Sequence, residues 1–338
     1  MKKPIILILI LSFLPIRTCK IAKASEYSFV QSKTINIESI KKGLIPLDFS
    51  NNYKYSKINL EYFSYYGLNF DKVKHVFGTF KSGSKVLAAH FYIPNKYTAT
   101  VVLMHGYLDH TGILKNAIKD LLEQNYAVAV YDVQGHGLSS EERAEINDFR
   151  QYSVVFDDFM NITKNNLHGP YNIISFSMGA AITMEYLLNQ GKYNFDKIVF
   201  VAPLVKSASW QVSKIGYFFG KYFLDNVPRS FRNDSSDKEF LSFYRNDPLQ
   251  TKKIPLVWVN ALIKWNERIK STRPNNKKIL ILQGTKDRIV SWRENLEFLK
   301  TKFPNAKVVL IQDADHQLYN ENRDIRMRVF NEINSYLQ

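Results

Sequence analysis

Cysteine is almost absent from this sequence: Cys19 is the only one among 338 residues. One cysteine can form neither a disulfide framework nor a paired-cysteine zinc site. The chain also lacks an H-E-x-x-H metal motif, and we expect no metal and no cofactor. His105, His110 and His136 could meet at one place, but the sequence offers them no evident set of carboxylate partners.

Long hydrophobic runs, internal repeats and low-complexity tracts are lacking as well. The apolar run at residues 4–16 is too short for a comfortable membrane span. It follows a basic start and precedes small residues at Ala22 and Ala24. This pattern predicts a signal peptide at residues 1–24, cleaved after Ala24, and export to a periplasm or out of the cell. The alternative is an uncleaved N-terminal anchor, because the segment after the apolar run is basic.

Acidic residues are scarce relative to basic ones. The chain has 46 Lys and Arg against 31 Asp and Glu, a formal net charge of +15. Five of the basic residues and none of the acidic ones lie in residues 1–24, which leaves +10 for the remainder. Such a balance suits an anionic lipid surface or an acidic partner, or serves solubility alone. Residues 78–85 are not a phosphate loop, because the order is Gly-Ser-Lys and no helix follows.

What the chain does contain is a succession of short apolar strands and amphipathic helices. Residues 25–65 are a mixed polar lead-in to which the sequence assigns no function. A hairpin of strands at 75–80 and 85–93 comes next. Strands are then predicted at 100–104, 126–131, before Ser177, at 197–201, 278–282 and 307–311, with helices at 115–124, 149–167, 178–190, 293–302 and from 323 onward. This alternation predicts an α/β fold with a mostly parallel sheet covered on both faces.

The stretch at residues 171–181 has the form of a strand, a tight turn and a helix, with Ser177 at the turn. Ser175 and Gly179 flank it in the pattern S-x-S-x-G. This resembles a nucleophile elbow, in which small neighbours let the strand and helix approach closely. The usual first glycine is a serine here. Ser175 is a rival nucleophile, but it would point to the opposite side of the strand.

Polar residues follow the ends of several predicted strands, where ligand sites of parallel sheets lie. Ser177, Asp287 and His316 occur in this chain order, each just past its own strand, as in a Ser–acid–His triad. A serine hydroxyl needs a base, for which His316 is the candidate, and Asp287 would fix the tautomer of that base. Asp313 and Asp315 are rival acids. The N–H of Met178, after the serine, is a candidate oxyanion donor.

The motifs together make the chain resemble an α/β-hydrolase of the monoacylglycerol lipase and lysophospholipase (serine aminopeptidase-like) branch over residues 75–335. They are Met104-His105-Gly106, Asp132-x-x-Gly135-His136-Gly137-x-Ser139, Ser177-Met178-Gly179, Gly284-x-x-Asp287 and Asp315-His316. The resemblance implies an eight-stranded, mostly parallel sheet, with core parts at 66–202 and 277–338 and a helical cap at 203–276, inserted after the sixth strand. It also implies that Tyr107 supplies the second oxyanion N–H and that His105 and Gly106 shape that loop beside the substrate.

The cap segment is basic and aromatic. Residues 203–273 hold 13 Lys and Arg and 6 Asp and Glu, and an amphipathic helix is predicted at 214–224. We expect Trp210, Phe218 and Phe219 to contact substrate and the cap to lean on an anionic membrane. Alternatively, the aromatic residues are the cap's own core and the lysines its solvated face. No nucleic-acid-binding fold accompanies these residues, so nucleic acid is not an expected partner. The oligomeric state is open.

The resemblance and the triad order imply a serine hydrolase that cleaves carboxylic esters of single-chain lipids, either lysophospholipids or monoacylglycerols. A peptidase or thioesterase with the same triad is an alternative within enzymes. An alternative from another class is a catalytically silent α/β-hydrolase that acts as a binding or effector module. The departure at Ser175 keeps that alternative open, because a strained elbow could relax there.

Overall fold

The computed structural model describes residues 35–50, 54–189, 191 and 193–338. The predicted signal peptide at 1–24, its cleavage site and Cys19 lie outside the described residues, as does the start of the lead-in. In the part of the chain that is described, no helix has both the length and the apolar character needed to cross a bilayer.

A single eight-stranded sheet forms the centre of the fold. Its strands are β1 Val73–Ser82, β2 Lys85–Pro94, β3 Thr100–Met104, β4 Ala127–Tyr131, β5 Tyr171–Phe176, β6 Ile198–Val201, β9 Ile279–Gly284 and β10 Ala306–Ile311, with β7 Asn226–Pro228 and β8 Lys253–Pro255 elsewhere. The order across the sheet is β1-β2-β4-β3-β5-β6-β9-β10. Strand β2 is antiparallel to β1 and β4, and the remaining neighbours are parallel. The predicted mostly parallel eight-stranded sheet is confirmed.

Helices cover both faces of this sheet. They are α1 Ile37–Lys42, α2 Lys57–Tyr66, α3 Lys115–Glu123, α4 Arg150–Asn166, α5 Met178–Leu188, α6 Trp210–Gly220, α7 Lys238–Asn246, α8 Leu256–Lys270, α9 Trp292–Lys302 and α10 Arg323–Leu337. Alternate residues of each strand face opposite sides: Val102 packs in a core with α4, α5, α8 and α9, and Val101 packs in a core with α2, α3 and α10. The central strands are apolar throughout because both faces are buried.

The described part of the lead-in packs on the sheet. Ile40 of α1 and Tyr62 of α2 are fully buried in the core that also contains α3 and α10. The chain between these helices runs against β1, where Leu47 N–H donates to the carbonyl of Thr79 at 2.9 Å. A Cβ at Gly78 would lie 2.6 Å from the carbonyl oxygen of Ile45. Glycine at position 78 is therefore needed for this close approach.

The cap follows β6, the sixth strand of the sheet, and consists of α6, β7, α7, β8 and α8. Strands β7 and β8 form an antiparallel ribbon. The cap therefore contains a short two-stranded ribbon in addition to the expected helices. Helix α6 spans Trp210–Gly220, whereas the sequence predicted 214–224. The aromatic run continues past Gly220, so hydrophobic periodicity does not mark the end of this helix.

Two buried polar networks join the cap to the core. The carboxylate of Glu185 in α5 accepts hydrogen bonds from Trp265 Nε1 at 2.9 Å and Arg268 Nη2 at 2.8 Å, both from α8. At the end of α7, Asp247 accepts from His110 Nε2 at 2.7 Å and from Tyr66 Oη at 2.6 Å. Because removing one partner of a buried charge pair leaves the other unpaired, these contacts hold α7 and α8 firmly on the core.

Candidate active site

Ser177 lies between the end of β5 and the start of α5 in a sharp turn. Its backbone has φ 50° and ψ −110°, a conformation that L-residues rarely adopt. The turn is held from both sides, because Ser177 N–H donates to Val201 O at 2.9 Å and Ser177 O accepts from Leu204 N at 3.1 Å. A Cβ at Gly179 would lie 2.7 Å from Cβ of Met104. Glycine there lets α5 start directly against β3.

Ser175 is fully buried and lies beneath the turn. Its hydroxyl is 2.7 Å from Thr183 Oγ1, and the Thr183 hydroxyl donates to the carbonyl of Gly179 at 3.0 Å. Ser175 therefore donates to Thr183, since the Thr183 proton is already engaged. The departure from the usual glycine is accommodated by a partner on α5, and the hydroxyl of this rival nucleophile points away from the site.

The three residues of the predicted triad come together in the structure. His316 Nε2 lies 3.0 Å from Ser177 Oγ, and His316 Nδ1 lies 2.7 Å from Asp287 Oδ2. All three side chains are buried. The other oxygen of Asp287 accepts the N–H groups of Ile289 and Val290 at 2.8 and 3.1 Å. The carboxylate thus orients the imidazole with its proton on Nδ1, which leaves Nε2 to accept the serine proton.

The charges and hydrogen bond of the His316–Asp287 pair suit His316 to act as a base. Burial lowers the pKa of His316, but the charge and hydrogen bond of Asp287 more than compensate, and the pKa lies above 6.5. Burial raises the pKa of Asp287, yet the charge and hydrogen bond of His316 bring it below the usual value. The pair therefore stabilises an imidazolium that forms when Ser177 loses its proton.

The rival acids are oriented elsewhere. Asp313 is exposed and forms an ion pair with Lys286 at 2.9 Å. Asp315 precedes His316, and its N–H donates to the carboxylate of Glu321 at 2.5 Å. Within the described ranges neither side chain bonds to the imidazole of His316, so the geometry leaves Asp287 as its acid partner.

The two predicted oxyanion donors are backbone N–H groups of Tyr107 and Met178. Among the described residues no protein acceptor takes either N–H. The side chain of Tyr107 is fixed, because its ring stacks on Trp258 with centroids 3.6 Å apart and its hydroxyl donates to Ala144 O at 3.0 Å. Both N–H groups are therefore free to donate to a negative oxygen, which is what an oxyanion hole requires.

His105 and Gly106 do not line the cavity in front of Ser177, which corrects the expectation that they contact substrate. His105 is fully buried; its Nδ1 donates to Gly106 O at 2.8 Å and its Nε2 accepts from Val133 N at 2.8 Å. It shapes the loop that carries Tyr107. His136 is also buried, and burial lowers its pKa to about 3, so it packs in the loop as a neutral ring.

The histidines of this region do not converge on a metal. His110 is paired with Asp247, whereas His105 and His136 are bound to backbone groups. In the portion of the chain that the structure describes, no group of three or more His, Cys, Asp or Glu side chains could hold a metal ion.

A cavity of about 490 Å³ extends from Ser177 and His316 between the core loops and the cap. This volume is in the range of small-molecule sites. Most of its wall is apolar and comes from the cap and the loops after β6 and β9; these residues are Leu204, Trp210, Tyr217, Leu224, Leu256, Trp258, Val259, Leu262, Ile289 and Val290. A long apolar group fits such a wall better than a polar one.

The aromatic residues of α6 lie on two different sides of the helix. Trp210 and Tyr217 line the cavity. Phe218 and Phe219 are 57% and 66% exposed and do not line it, so the expectation that they contact substrate in the cavity is corrected. Residues of a helix turn by about 100° each, and the positions one and two after Tyr217 therefore face away from the cavity.

Sequence reasoning missed the polar end of the cavity. Asp109, in the loop after β3, lines it together with Arg229 and Asp234 of the cap. Tyr244 Oη donates to Asp109 Oδ1 at 2.6 Å and accepts from Arg229 Nη2 at 2.9 Å. No sequence signal marks Arg229 or Asp234, because both are isolated charges in a polar stretch. The apolar wall from α8 had a weak signal, the aromatic content of the cap.

Comparison with known proteins places the chain among hydrolases. The sequence profile of the family described as "Serine aminopeptidase, S33" matches residues 95–323. A monoglyceride lipase homolog of monkeypox virus is 24% identical over 248 residues, 71% of this chain and 89% of that protein. A probable lysophospholipase L2 of Haemophilus influenzae is 24% identical over 264 residues, 70% of this chain and 83% of that protein.

Solved structures have the same fold. A soluble variant of monoglyceride lipase from Saccharomyces cerevisiae, in complex with a substrate analog, superposes with a TM-score of 0.67 at 17% identity, over 77% of this chain and 94% of that one. The monoacylglycerol lipase of Paleococcus ferrophilus superposes with a TM-score of 0.61 at 17% identity, over 74% and 99%.

The first prediction concerns the pH dependence of Ser177 reactivity. The reactive form of His316 is neutral, so labelling of Ser177 by a fluorophosphonate should decline as pH falls through a pKa above 6.5. Replacing Asp287 by Asn removes the charge that raises this pKa, so the decline should move to lower pH. The labelling rate should also fall by about 10³-fold or more, because the tautomer is no longer fixed.

The matched control is Asp313→Asn, which removes a nearby exposed carboxylate that does not contact His316. Its profile should superimpose on that of the unmodified protein. If Asp313→Asn shifted the profile and Asp287→Asn did not, the assignment of the acid would be wrong.

Proposed function

Since the chain belongs to the serine aminopeptidase (S33) family of α/β-hydrolases and is a carboxylic ester hydrolase, we propose that it cleaves esters of single-chain lipids through an acyl-enzyme on Ser177. The observation that carries this proposal is the position of Ser177 Oγ, 3.0 Å from His316 Nε2 and at one end of an apolar cavity of about 490 Å³. Relatives of similar length are named monoglyceride lipase and probable lysophospholipase, which supports the same substrate class.

The mechanism follows from the geometry. Ser177 Oγ attacks the ester carbonyl carbon while His316 Nε2 takes the serine proton, and Asp287 stabilises the resulting imidazolium. The N–H groups of Met178 and Tyr107 donate to the tetrahedral oxyanion. When the intermediate collapses, the C–O bond to the alcohol breaks and His316 returns the proton to the leaving oxygen. Water then gives a proton to His316 and attacks the acyl carbon. The C–O bond to Ser177 Oγ breaks, and His316 returns the proton to Oγ as the fatty acid leaves.

The wall of the cavity supports an acyl chain as the group bound beyond the carbonyl. Trp210 and Tyr217 of α6 and Leu262 of α8 line it, and an alkyl chain gains free energy by leaving water for such a surface. The strained backbone of Ser177, φ 50°, with His316 and Asp287 in line, argues against a silent binding module, because stored strain of this kind clusters at reactive positions.

The second prediction is the test of this proposal. The unmodified protein should react with a fluorophosphonate and hydrolyse a series of p-nitrophenyl esters, with an optimum at medium or long acyl chains because of the apolar wall. Ser177→Ala should do neither. The matched control Ser175→Ala should retain both, since Ser175 lies beneath the turn and its hydroxyl bonds to Thr183.

Two results would contradict the proposal. Equal labelling of the Ser177→Ala variant would place the nucleophile elsewhere, and absence of labelling in a folded unmodified protein would favour the binding module. Acyl-matched anilides and thioesters should be cleaved more slowly than the oxygen esters. A clear preference for the anilides would favour a peptidase, and one for the thioesters a thioesterase.

We also propose that the cap contacts an anionic membrane. The outer side of α6 and the residues after it form an exposed apolar patch, here called the cap patch: Val212, Ile215, Phe218, Phe219, Tyr222 and Phe223, which are 57–85% exposed. Lys221 lies over the ring of Tyr222 at 4.9 Å. Because the inner side of α6 lines the cavity, a lipid entering past this patch would stay in apolar surroundings.

The third prediction concerns this surface. Replacing Phe218 and Phe219 together by Ser should weaken binding to vesicles with anionic lipid by about tenfold or more, since two large apolar side chains no longer enter the lipid. Vesicle sedimentation measures this. Val154→Ser is the matched control, because Val154 is 60% exposed and belongs to α4, outside the cap. An equal loss in both variants, or none in either, would count against the membrane contact.

We further propose that the protein is exported and that residues 1–24 are a cleaved signal peptide. The basic start, the apolar run and the small residues at Ala22 and Ala24 support this. The fourth prediction is that the protein expressed from its full gene in a bacterium carries an N-terminus at Ser25, which mass spectrometry of the purified protein measures. An intact Met1 in the membrane fraction would favour the uncleaved anchor instead.

A further inference from the structure

A carboxylate that the mechanism does not use lies next to the candidate catalytic histidine. Asp234 belongs to the cap loop between β7 and α7 and lines the cavity. Its backbone carbonyl accepts from Gln317 N at 2.8 Å, so this loop is fastened to the residue after His316. Asp234 thus lines the cavity close enough to His316 for their charges to interact.

Within the described residues the carboxylate of Asp234 has no donor beyond its own backbone N–H. Neither of its oxygens accepts a hydrogen bond from another residue in the described part of the chain, and Oδ1 is fully buried. Burial raises the pKa of Asp234 to about 6, although the charge of His316 acts in the opposite direction. Above that pH the group is ionised. A buried carboxylate with an unsatisfied oxygen is unfavourable unless a ligand or water donates to it.

The neighbouring charged groups are already engaged. Asp109 accepts from Tyr244 Oη at 2.6 Å and, more weakly, from Gln317 Nε2 at 3.5 Å. Arg229 donates to the side chain of Gln250 and to Tyr244 Oη. The guanidinium group of Arg229 also lies over the ring of Phe231, 4.3 Å from the ring centre. Of the two carboxylates that line the cavity, Asp234 is thus the one whose oxygens are available to a substrate.

We propose that Asp234 is a specificity-determining residue that accepts a hydrogen bond from a hydroxyl of the leaving alcohol, so that acyl esters of uncharged polyols such as glycerol are preferred over those whose alcohol carries a phosphate. This inference rests on the proposed function. A carboxylate can only accept, so it favours a hydroxyl donor. Asp234 and Asp109 together repel a phosphate.

The exposed side chain of Arg232 could bind a phosphate, which would give the opposite substrate preference. Arg232 is exposed, lines the outer cavity and donates to Arg288 O at 2.7 Å. If phosphate were bound by Arg232, a phosphorylated alcohol would be preferred.

The fifth prediction compares three substrates with the same acyl chain at about pH 8, where Asp234 is ionised: a 1-monoacylglycerol, the propyl ester and the lysophosphatidate. Asp234→Asn should lower kcat/KM for the monoacylglycerol about tenfold, the expected effect of losing a charged acceptor. The propyl ester should change by less than about twofold, and lysophosphatidate hydrolysis should increase. Asp225→Asn removes an exposed cap carboxylate and should change none of the three.

Asp234→Asn should still be labelled by the fluorophosphonate at Ser177, which shows that the variant is folded and its triad intact. An unchanged ratio of monoacylglycerol to propyl ester hydrolysis in Asp234→Asn would overturn the inference. So would a preference of the unmodified protein for lysophosphatidate. If the unmodified protein cleaved none of the esters in a Ser177-dependent way, the proposed function itself would fail, and the inference with it.

Discussion

The positive φ angle of Ser177 is the constraint on which the site depends. The turn places the serine hydroxyl in front of the sheet and leaves the N–H of Met178 without an internal acceptor, because the first amides of a helix have none. Such a backbone persists only where its surroundings hold it, and here β6 supplies the carbonyl of Val201 and the loop after β6 supplies the N–H of Leu204. Close packing at Gly179 and the buried Ser175–Thr183 contact support the same turn from below. The nucleophile and one oxyanion donor are therefore fixed by a single local geometry.

The cap depends on different forces. Helix α8 is fastened by the carboxylate of Glu185, and the end of α7 is fastened by the buried pair of Asp247 and His110. Helix α6 differs from both, since Trp210 is its one buried residue and its outer side is apolar and exposed. The exposed apolar side of α6 is the cap patch, which we propose as a contact surface.

The carboxylates around His316 illustrate how position determines role. Asp287 receives backbone N–H groups on one oxygen and the imidazole on the other, so it remains charged and orients the base. Asp109 is held by Tyr244, whereas Asp234 has no such partners and has a raised pKa. Three groups of one chemical type therefore have different environments within one site, and their chemistry differs accordingly. Of these three carboxylates, that of Asp234 is the one that we propose to contact the substrate.

Much of this protein could be predicted from its sequence. Strand β3 at Thr100–Met104 and helix α3 from Lys115 have the expected bounds, because apolar runs and periodicity reflect burial, and burial is a local property of strands between two helix layers. The positions of Ser177, Asp287 and His316 just after the ends of strands could also be predicted from the sequence. Parallel strands bring their carboxyl ends to one edge, so chain order predicts proximity.

The rest was decided by tertiary packing. Which side of α6 faces the cavity depends on how the cap sits on the core, and this separated Tyr217 from Phe218 and Phe219. That Oδ1 of Asp234 has no partner among the described residues is a property of its neighbours and not of its own stretch of sequence. The sequence by itself determined the sheet, the order of the site residues and the family pattern, because these follow from local periodicity and motif spacing. Only the tertiary structure decided the shape and polarity of the cavity, because both arise between segments that lie far apart in the chain.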